Sequence, residues 1–265
     1  MVVRSDPLPW KTAWITGASS GIGLELAVLL SAHGVRVAAT ARSVEKLVEL
    51  AGRVPGIVPV PADVTNPAEV AAAYARIVAT IGDIDLAVLN AGVWDPMGAS
   101  DFTAARAVSS MAVNYAGLAN ALDPLIPAMI AAKRGHIALV ASVAGYRGLP
   151  KGAAYAPSKA AAISLAEVLQ PDLARHGIKV SIVNPGFVET PMTSVNEFPM
   201  PYIIKPDDAA RRILRGLQRG KFEIVFPWQM MAMLKLARVL PYPAFFWLVR
   251  NVIAPTEAAQ REANS

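Results

Sequence analysis

The 265-residue sequence contains no cysteine, which excludes disulfides, thiolate metal sites and cysteine nucleophiles. Histidine is scarce as well: His33, His136 and His176 are too scattered to suggest a metal centre. Charged residues make up 17% of the chain against 54% apolar ones, so disorder is not expected outside the two ends. The formal charge of +5 suits phosphorylated ligands or anionic surfaces, but no dense Lys/Arg run marks a nucleic-acid tract. No unbroken apolar run reaches the ~18 residues needed to span a bilayer. Met1 to Trp10 has no apolar stretch long enough for a signal peptide, so the expected setting is the cytoplasm. The length accommodates one well-buried domain and is too short for two of ordinary size.

What is present is a steady alternation. Apolar, β-branched-rich runs occur at Thr12–Thr16, Val35–Thr40, Ile57–Val60, Ile84–Leu89, Ile137–Ala141, Ile178–Asn184 and Phe222–Phe226. Between them lie segments with helical spacing at Ile22–Ala32, Val44–Gly52, Ala68–Ile81, Ala104–Lys133, Ala153–Arg175 and Asp207–Arg219. Continuous apolar strands are those buried on both faces. Repeated strand–helix–strand units imply right-handed crossovers and a parallel sheet. The expected fold is therefore α/β: a doubly wound, Rossmann-type parallel sheet of about seven strands with helices on both faces. In such sheets ligands bind beyond the carboxyl ends of the strands.

The first strand runs into Thr16-Gly-Ala-Ser-Ser-Gly-Ile-Gly23 and then directly into a helix. Gly17, Gly21 and Gly23 permit a tight turn and close approach to a pyrophosphate, while Ser19, Ser20 and Ile22 bring backbone amides to the helix N-terminus. A Gly-rich turn taken alone serves equally as a tight loop; its place between strand one and a helix argues for the nucleotide. The second strand ends at Arg42. Enzymes that prefer NAD place an acid there for the ribose hydroxyls, whereas an arginine suits a 2′-phosphate, the plain alternative being a solvated arginine opening a helix. Asp63-Val64 follows the third strand and Asn90-Ala91-Gly92 the fourth, and either is also ordinary turn chemistry.

The fifth strand runs into Ser142, and Tyr155-Ala-Pro-Ser-Lys159 follows at the start of a long helix. A Tyr and a Lys at i and i+4 share one helical face, about 6 Å apart along the axis. Carbonyl reduction needs a proton donor at the developing alkoxide, and the reverse reaction needs a base there. A nearby ammonium is expected to favour the phenolate and bring the phenol toward the working range. Ser142 is placed to hold the substrate oxygen. In isolation a Tyr–Lys pair at this spacing is ordinary surface chemistry; here it follows a serine-bearing strand of a sheet that already carries the glycine turn.

Taken together, Thr16-Gly-x-x-x-Gly-x-Gly23, Asp63, Asn90-Ala-Gly92, Asn114, Ser142, Tyr155-x-x-x-Lys159, Pro185-Gly186 and Thr190 resemble the short-chain dehydrogenase/reductase family, in its single-domain branch. The resemblance runs from Lys11 to about Phe226. It implies Tyr155 as general acid or base, with Lys159 lowering its pKa and binding the nicotinamide ribose. It also implies that Ser142 orients the substrate oxygen and that Asn114 holds a water linking Lys159 to solvent. By the same resemblance Asp63 and Val64 contact adenine, Asn90, Ala91 and Gly92 line the cofactor, and Pro185, Gly186, Val188 and Thr190 embrace the nicotinamide. The expected cofactor is NADP(H) in preference to NAD(H), on Arg42 alone, because Ser20 stands where many NADP-preferring members carry a basic residue. A homodimer or homotetramer is expected. Pro157 and Pro171 fall in the predicted Tyr155 helix, the second being expected to kink or loosen its far end.

Beyond the sixth strand, 187–202 carries Pro191, Pro199 and Pro201 with little periodicity and is expected to be a substrate lid. The apolar extension 227–253 reads as core and dimer surface, as a cover for a long apolar substrate, or as an interfacial membrane helix with basic residues at headgroup level. The last ten residues are expected to fray. The function expected is NADP(H)-dependent carbonyl–alcohol interconversion on a moderately large apolar small molecule. A membrane-associated reductase of a long-chain keto lipid and a non-catalytic NADPH-binding protein are the alternatives.

Overall fold

The computed structural model describes residues 8–196 and 198–253; the expected frayed tail lies outside them. Seven strands form one fully parallel sheet: β1 (Thr12–Thr16), β2 (Arg36–Thr40), β3 (Ile57–Pro59), β4 (Leu86–Leu89), β5 (Gly135–Val140), β6 (Ile178–Pro185) and β7 (Glu223–Phe226). Their order is β3-β2-β1-β4-β5-β6-β7, so the order reverses between β1 and β4. That reversal is the switch point at which doubly wound sheets open a crevice for ligands. The register sets Thr16 beside both Thr40 and Leu89, bringing the ends of the three central strands level.

Every residue of β1 is buried, because adjacent residues serve opposite faces. Trp14 packs with Leu89, Ile137 and Leu139 on one face, whereas Ile15 packs with Val37, Val88 and Val183 on the other. The first face is covered by α3 (Pro67–Ile81), α5 (Gly117–Ala132), α6 (Tyr155–Ala174) and α8 (Trp228–Val239); the second by α1 (Gly21–Ala32), α2 (Val44–Arg53) and α7 (Pro206–Gln218). Local chemistry sets several boundaries. Asn66 caps α3 by accepting from Ala68 N and Glu69 N, with Pro67 in the first turn where its missing N–H costs nothing.

Two differences from the sequence pattern matter for the site. The stretch expected as one helix over 104–133 is α4 (Ala104–Met111), a π-helical turn at Ala112–Ala116, and then α5. Within the turn Gly117 N donates to Ala112 O, the wider i→i+5 spacing that is frequent at functional sites. The Tyr155 helix starts two residues later than expected, which puts Pro157 in its first turn. It runs through Pro171 and stops three residues beyond, so the missing N–H falls in the last turn. Val188, in the expected lid, forms an isolated parallel bridge with Ile204 just beyond it. The C-terminal extension is α8, then α9 (Tyr242–Leu248) and a π turn at Val249–Ile253, with Pro241 between the two helices.

Candidate active site

All of the predicted site residues lie at the carboxyl edge of the sheet or on helices that point into it, and the glycine turn shows why. Gly17 has φ +69, a conformation that strains any side chain. A Cβ on Gly23 would collide with Gly17 O and stand 2.6 Å from Asn90 Nδ2. Asn90 fastens this turn across the switch point, its Nδ2 donating to Thr16 O at 3.1 Å and Gly17 O at 3.3 Å. In return Thr16 Oγ1 accepts from Asn90 N and Ala91 N. Thr16 and Asn90 therefore knit the two strand ends at the start of α1, whose first amides have no partner within the helix and whose first turn carries no acidic residue. That is an anion cradle built from backbone, and it fits the pyrophosphate of a dinucleotide. Ser19 and Ser20 sit on its rim, the first half-buried and the second exposed.

At the end of β2, Arg42 is exposed and acts on Asp63 across the gap to β3. Asp63 Oδ1 accepts from Thr65 N at 2.9 Å and Thr65 Oγ1 at 2.8 Å. The Thr65 backbone bond, then its hydroxyl, then Arg42 hold the Asp63 carboxyl below its ordinary range against a modest cost of burial. Val64 is locked behind it, its carbonyl accepting from Asn120 Nδ2 at 2.8 Å. A cation and an anion thus frame one side of the crevice. On the opposite side Gly186 N donates to Phe226 O at 2.7 Å, while buried Val188 is bridged to Ile204. A Cβ on Gly21 would stand 2.9 Å from Thr190 Cγ2, so the glycine turn and the loop after β6 close over the same space.

The chemical end is tightly coordinated. Lys159 is buried, and its Nζ donates to Val140 O at 3.0 Å. The Cβ position of Gly92 lies 3.1 Å from Asn114 Oδ1 and 3.3 Å from Lys159 Nζ, so the β4 turn, the π turn and α6 converge on one point. Asn114 is fully committed there: Oδ1 accepts from Val93 N at 2.8 Å, and Nδ2 donates to Val93 O at 3.0 Å and Ser158 Oγ at 2.9 Å. Ser158 Oγ in turn donates to Tyr155 O at 2.7 Å. The π turn delivers Asn114 to this position. Ser142 caps a short 3₁₀ turn, its Oγ accepting from Ala144 N and donating to Pro185 O at 3.3 Å. The serine is thereby fixed between β5 and β6.

Electrostatics depart from the expectation that the lysine would bring the phenol down. Burial pushes the Tyr155 phenol up to about 12, with the adjacent Ser142 hydroxyl working the other way. Burial also pushes the Lys159 ammonium down to about 8. Its Nζ stands 5.5 Å from the Tyr155 ring centroid. Low dielectric penalises both charged forms.

Two residues at the site carried no recognised signal in sequence. The Trp94 ring meets Tyr155 edge to face at 5.0 Å, and its Nε1 donates to Asn196 Oδ1 at 2.8 Å in the loop after β6. Trp94 lies two residues past the Asn90-Ala-Gly92 turn, and that nearness is all the sequence offers to find it. Its segment is braced by Arg106, whose Nε donates to Asp95 at 2.8 Å and whose Nη1 donates to Asp101 at 2.9 Å. Among the described residues, no cluster of three or more His, Cys, Asp or Glu side chains is arranged for a metal.

A family model described as short chain dehydrogenase matches residues 11–198. A Myxococcus xanthus protein described as an uncharacterized oxidoreductase is 38% identical over 242 residues, covering 90% of this chain and 96% of that protein. Among solved structures, a short chain dehydrogenase from Burkholderia cenocepacia in complex with NADP is 30% identical with a TM-score of 0.77, covering 87% of this chain and 93% of that one. A 3-ketoacyl-(acyl-carrier-protein) reductase from Brucella melitensis complexed with NADH is 29% identical with a TM-score of 0.75, covering 81% and 94%.

Proposed function

The chain is an oxidoreductase of the short chain dehydrogenase family, and on that premise we propose that it interconverts a carbonyl and its alcohol using NADP(H). The observation that carries the proposal is the convergence of Ser142, Tyr155 and Lys159 beside the glycine cradle, with Asn114 fastening the loop between them. A bound nicotinamide dinucleotide supplies or accepts the hydride. The protein's own residues manage the oxygen and its proton. Ser142, fixed by Pro185 O and Ala144 N, offers a hydroxyl to the substrate oxygen as charge develops on it. Tyr155 is a phenol, protonated at neutral pH with or without the upward push of burial, and so is in the state required to donate a proton to that oxygen in reduction. Lys159, anchored by Val140 O, would return a proton to the phenol and would hold the ribose of a bound dinucleotide. Asn114 and Ser158 position Tyr155 through its own backbone carbonyl.

The choice of NADP(H) rests on Arg42. It stands at the end of β2 with a guanidinium suited to a 2′-phosphate, and no acid occupies Thr40, Ala41 or Arg42. Relatives of comparable similarity have been seen with NADP and with NADH, so the residue and not the likeness supports the choice. Trp94 gives the substrate side an aromatic wall against Tyr155, which favours an apolar carbonyl. A panel of aldehydes, ketones and the matching alcohols, run with NADPH, NADH and their oxidised forms, tests the proposal. The expected result is NADPH-dependent reduction of apolar carbonyls. NADPH binding without hydride transfer to any member of the panel would identify a cofactor-binding protein that does not turn over.

A further inference from the structure

The C-terminal helices carry an apolar surface that the active site does not use. On α8 one stripe faces inward, with Met230, Leu234 and Ala237 buried at i, i+4 and i+7. A second apolar stripe, Trp228, Ala232, Leu236 and Val239 at i, i+4, i+8 and i+11, faces solvent. Trp228 is 67% exposed, Leu236 64% and Val239 74%. A contiguous exposed apolar stripe on a surface helix marks a contact site. Tyr242, Phe246 and Trp247 on α9 extend the outer surface, with Tyr242 and Phe246 stacked at 5.7 Å.

We propose that this surface docks on an anionic lipid bilayer, lying in the interface without crossing it. Residues 227–253 contain Lys235, Arg238 and Arg250 and no acidic residue. Lys235 is paired with Glu223, but Arg238 and Arg250 are exposed beside the apolar stripes. Apolar side chains at acyl depth, tryptophan and tyrosine at the boundary and arginine at the headgroups form the pattern an anionic interface accepts. A second copy of the chain fits less well. A two-fold contact sets the same patch against itself, so both arginines would meet a basic patch with no acidic partner in it. Among the described residues no helix is long and apolar enough to cross a membrane.

The surface is also coupled to the catalytic rim. The Arg147 guanidinium, five residues beyond Ser142, lies 4.6 Å over the Tyr242 ring and 4.2 Å over Phe245. A Cβ on Gly186 would stand 2.7 Å from Met230 Sδ, so α8 rests directly on the loop that closes over the crevice. Docking would therefore hold the catalytic rim close to the bilayer, from which an apolar carbonyl or alcohol can partition. That last step rests on the reaction proposed above; the docking does not.

The test is co-sedimentation of the full chain with vesicles of phosphatidylcholine alone and of phosphatidylcholine mixed with phosphatidylglycerol, alongside light scattering without lipid. The expected result is binding to the mixed vesicles that falls as salt is raised, with little binding to phosphatidylcholine alone. Combining Leu236→Glu with Trp247→Glu should lower the vesicle-bound fraction at least about tenfold, with NADPH binding and circular dichroism unchanged. Two outcomes would overturn the proposal. In one, wild type stays in the supernatant. In the other, light scattering shows a dimer that the same two substitutions dissociate, which would assign the surface to a second copy. The measurement needs no turnover, so failure of docking and failure of the proposed reaction are read separately.

Discussion

Replacing Lys159 by methionine should make the protein more stable at neutral pH while it destroys turnover. Lys159 is buried, and burial lowers its pKa from the ordinary lysine value to about 8. Each tenfold step costs about 1.4 kcal/mol, so holding the ammonium in the folded state costs about 3 kcal/mol at pH 7. Methionine keeps an unbranched apolar stem, one atom shorter, and removes the charge. It also removes the 3.0 Å hydrogen bond to Val140 O, a loss of about 1 kcal/mol. The net gain expected for Lys159→Met is about 2 kcal/mol at pH 7. The sign of the pH dependence follows from linkage. The pKa is lower in the folded chain, so between pH about 8 and about 10.5 the unfolded chain binds the extra proton and wild-type stability rises with pH. The advantage of the variant should therefore shrink across that window and vanish or reverse at its upper end; the raised Tyr155 phenol is common to both proteins and cancels. Urea denaturation of both proteins, followed by tryptophan fluorescence at neutral pH and near pH 10, measures it. A variant no more stable than wild type at pH 7, or a difference that does not change with pH, would refute the reasoning.

Two further substitutions probe the cofactor crevice. Gly23→Ala should cost about 1–3 kcal/mol of stability, since the new methyl meets the Gly17 carbonyl and Asn90 Nδ2 within a turn that cannot move freely. It should also weaken NADPH binding at least about tenfold by fluorescence titration. Arg42→Asp should lower NADPH affinity by about 1.5–3 kcal/mol, roughly tenfold to a hundredfold, while improving NADH. Cofactor selectivity left unchanged in steady-state kinetics would show that Arg42 does not read the 2′-phosphate.

Much of this arrangement could be read from sequence because its signals are local. The apolar run Thr12–Thr16, the glycines after it and the Tyr155–Lys159 spacing each lie within a few residues, and the strand–helix alternation fixes which end of the sheet they share. What stayed hidden depends on distance in sequence or on burial. Ala112–Ala116 has ordinary helical composition, so nothing in it announces the π turn that carries Asn114 to Val93 and Ser158. The Trp94–Asn196 bond joins loops 102 residues apart. Lysine beside tyrosine suggested a lowered phenol, but the outcome depends on how much water both lose, and burial raises it instead. The apolar composition of 227–253 was plain, whereas the division of α8 into an inward and an outward stripe needed the packed structure.

The central claim is that the Tyr155 phenol exchanges the proton at the substrate oxygen. The direct measurement is a single-turnover mix of NADPH-loaded protein with a reducible carbonyl, comparing wild type with Tyr155→Phe. Hydride transfer should fall by about 10²–10⁴ in the variant while NADPH binds as tightly as before. Transfer within about tenfold of wild type would contradict the claim and move the proton to another group.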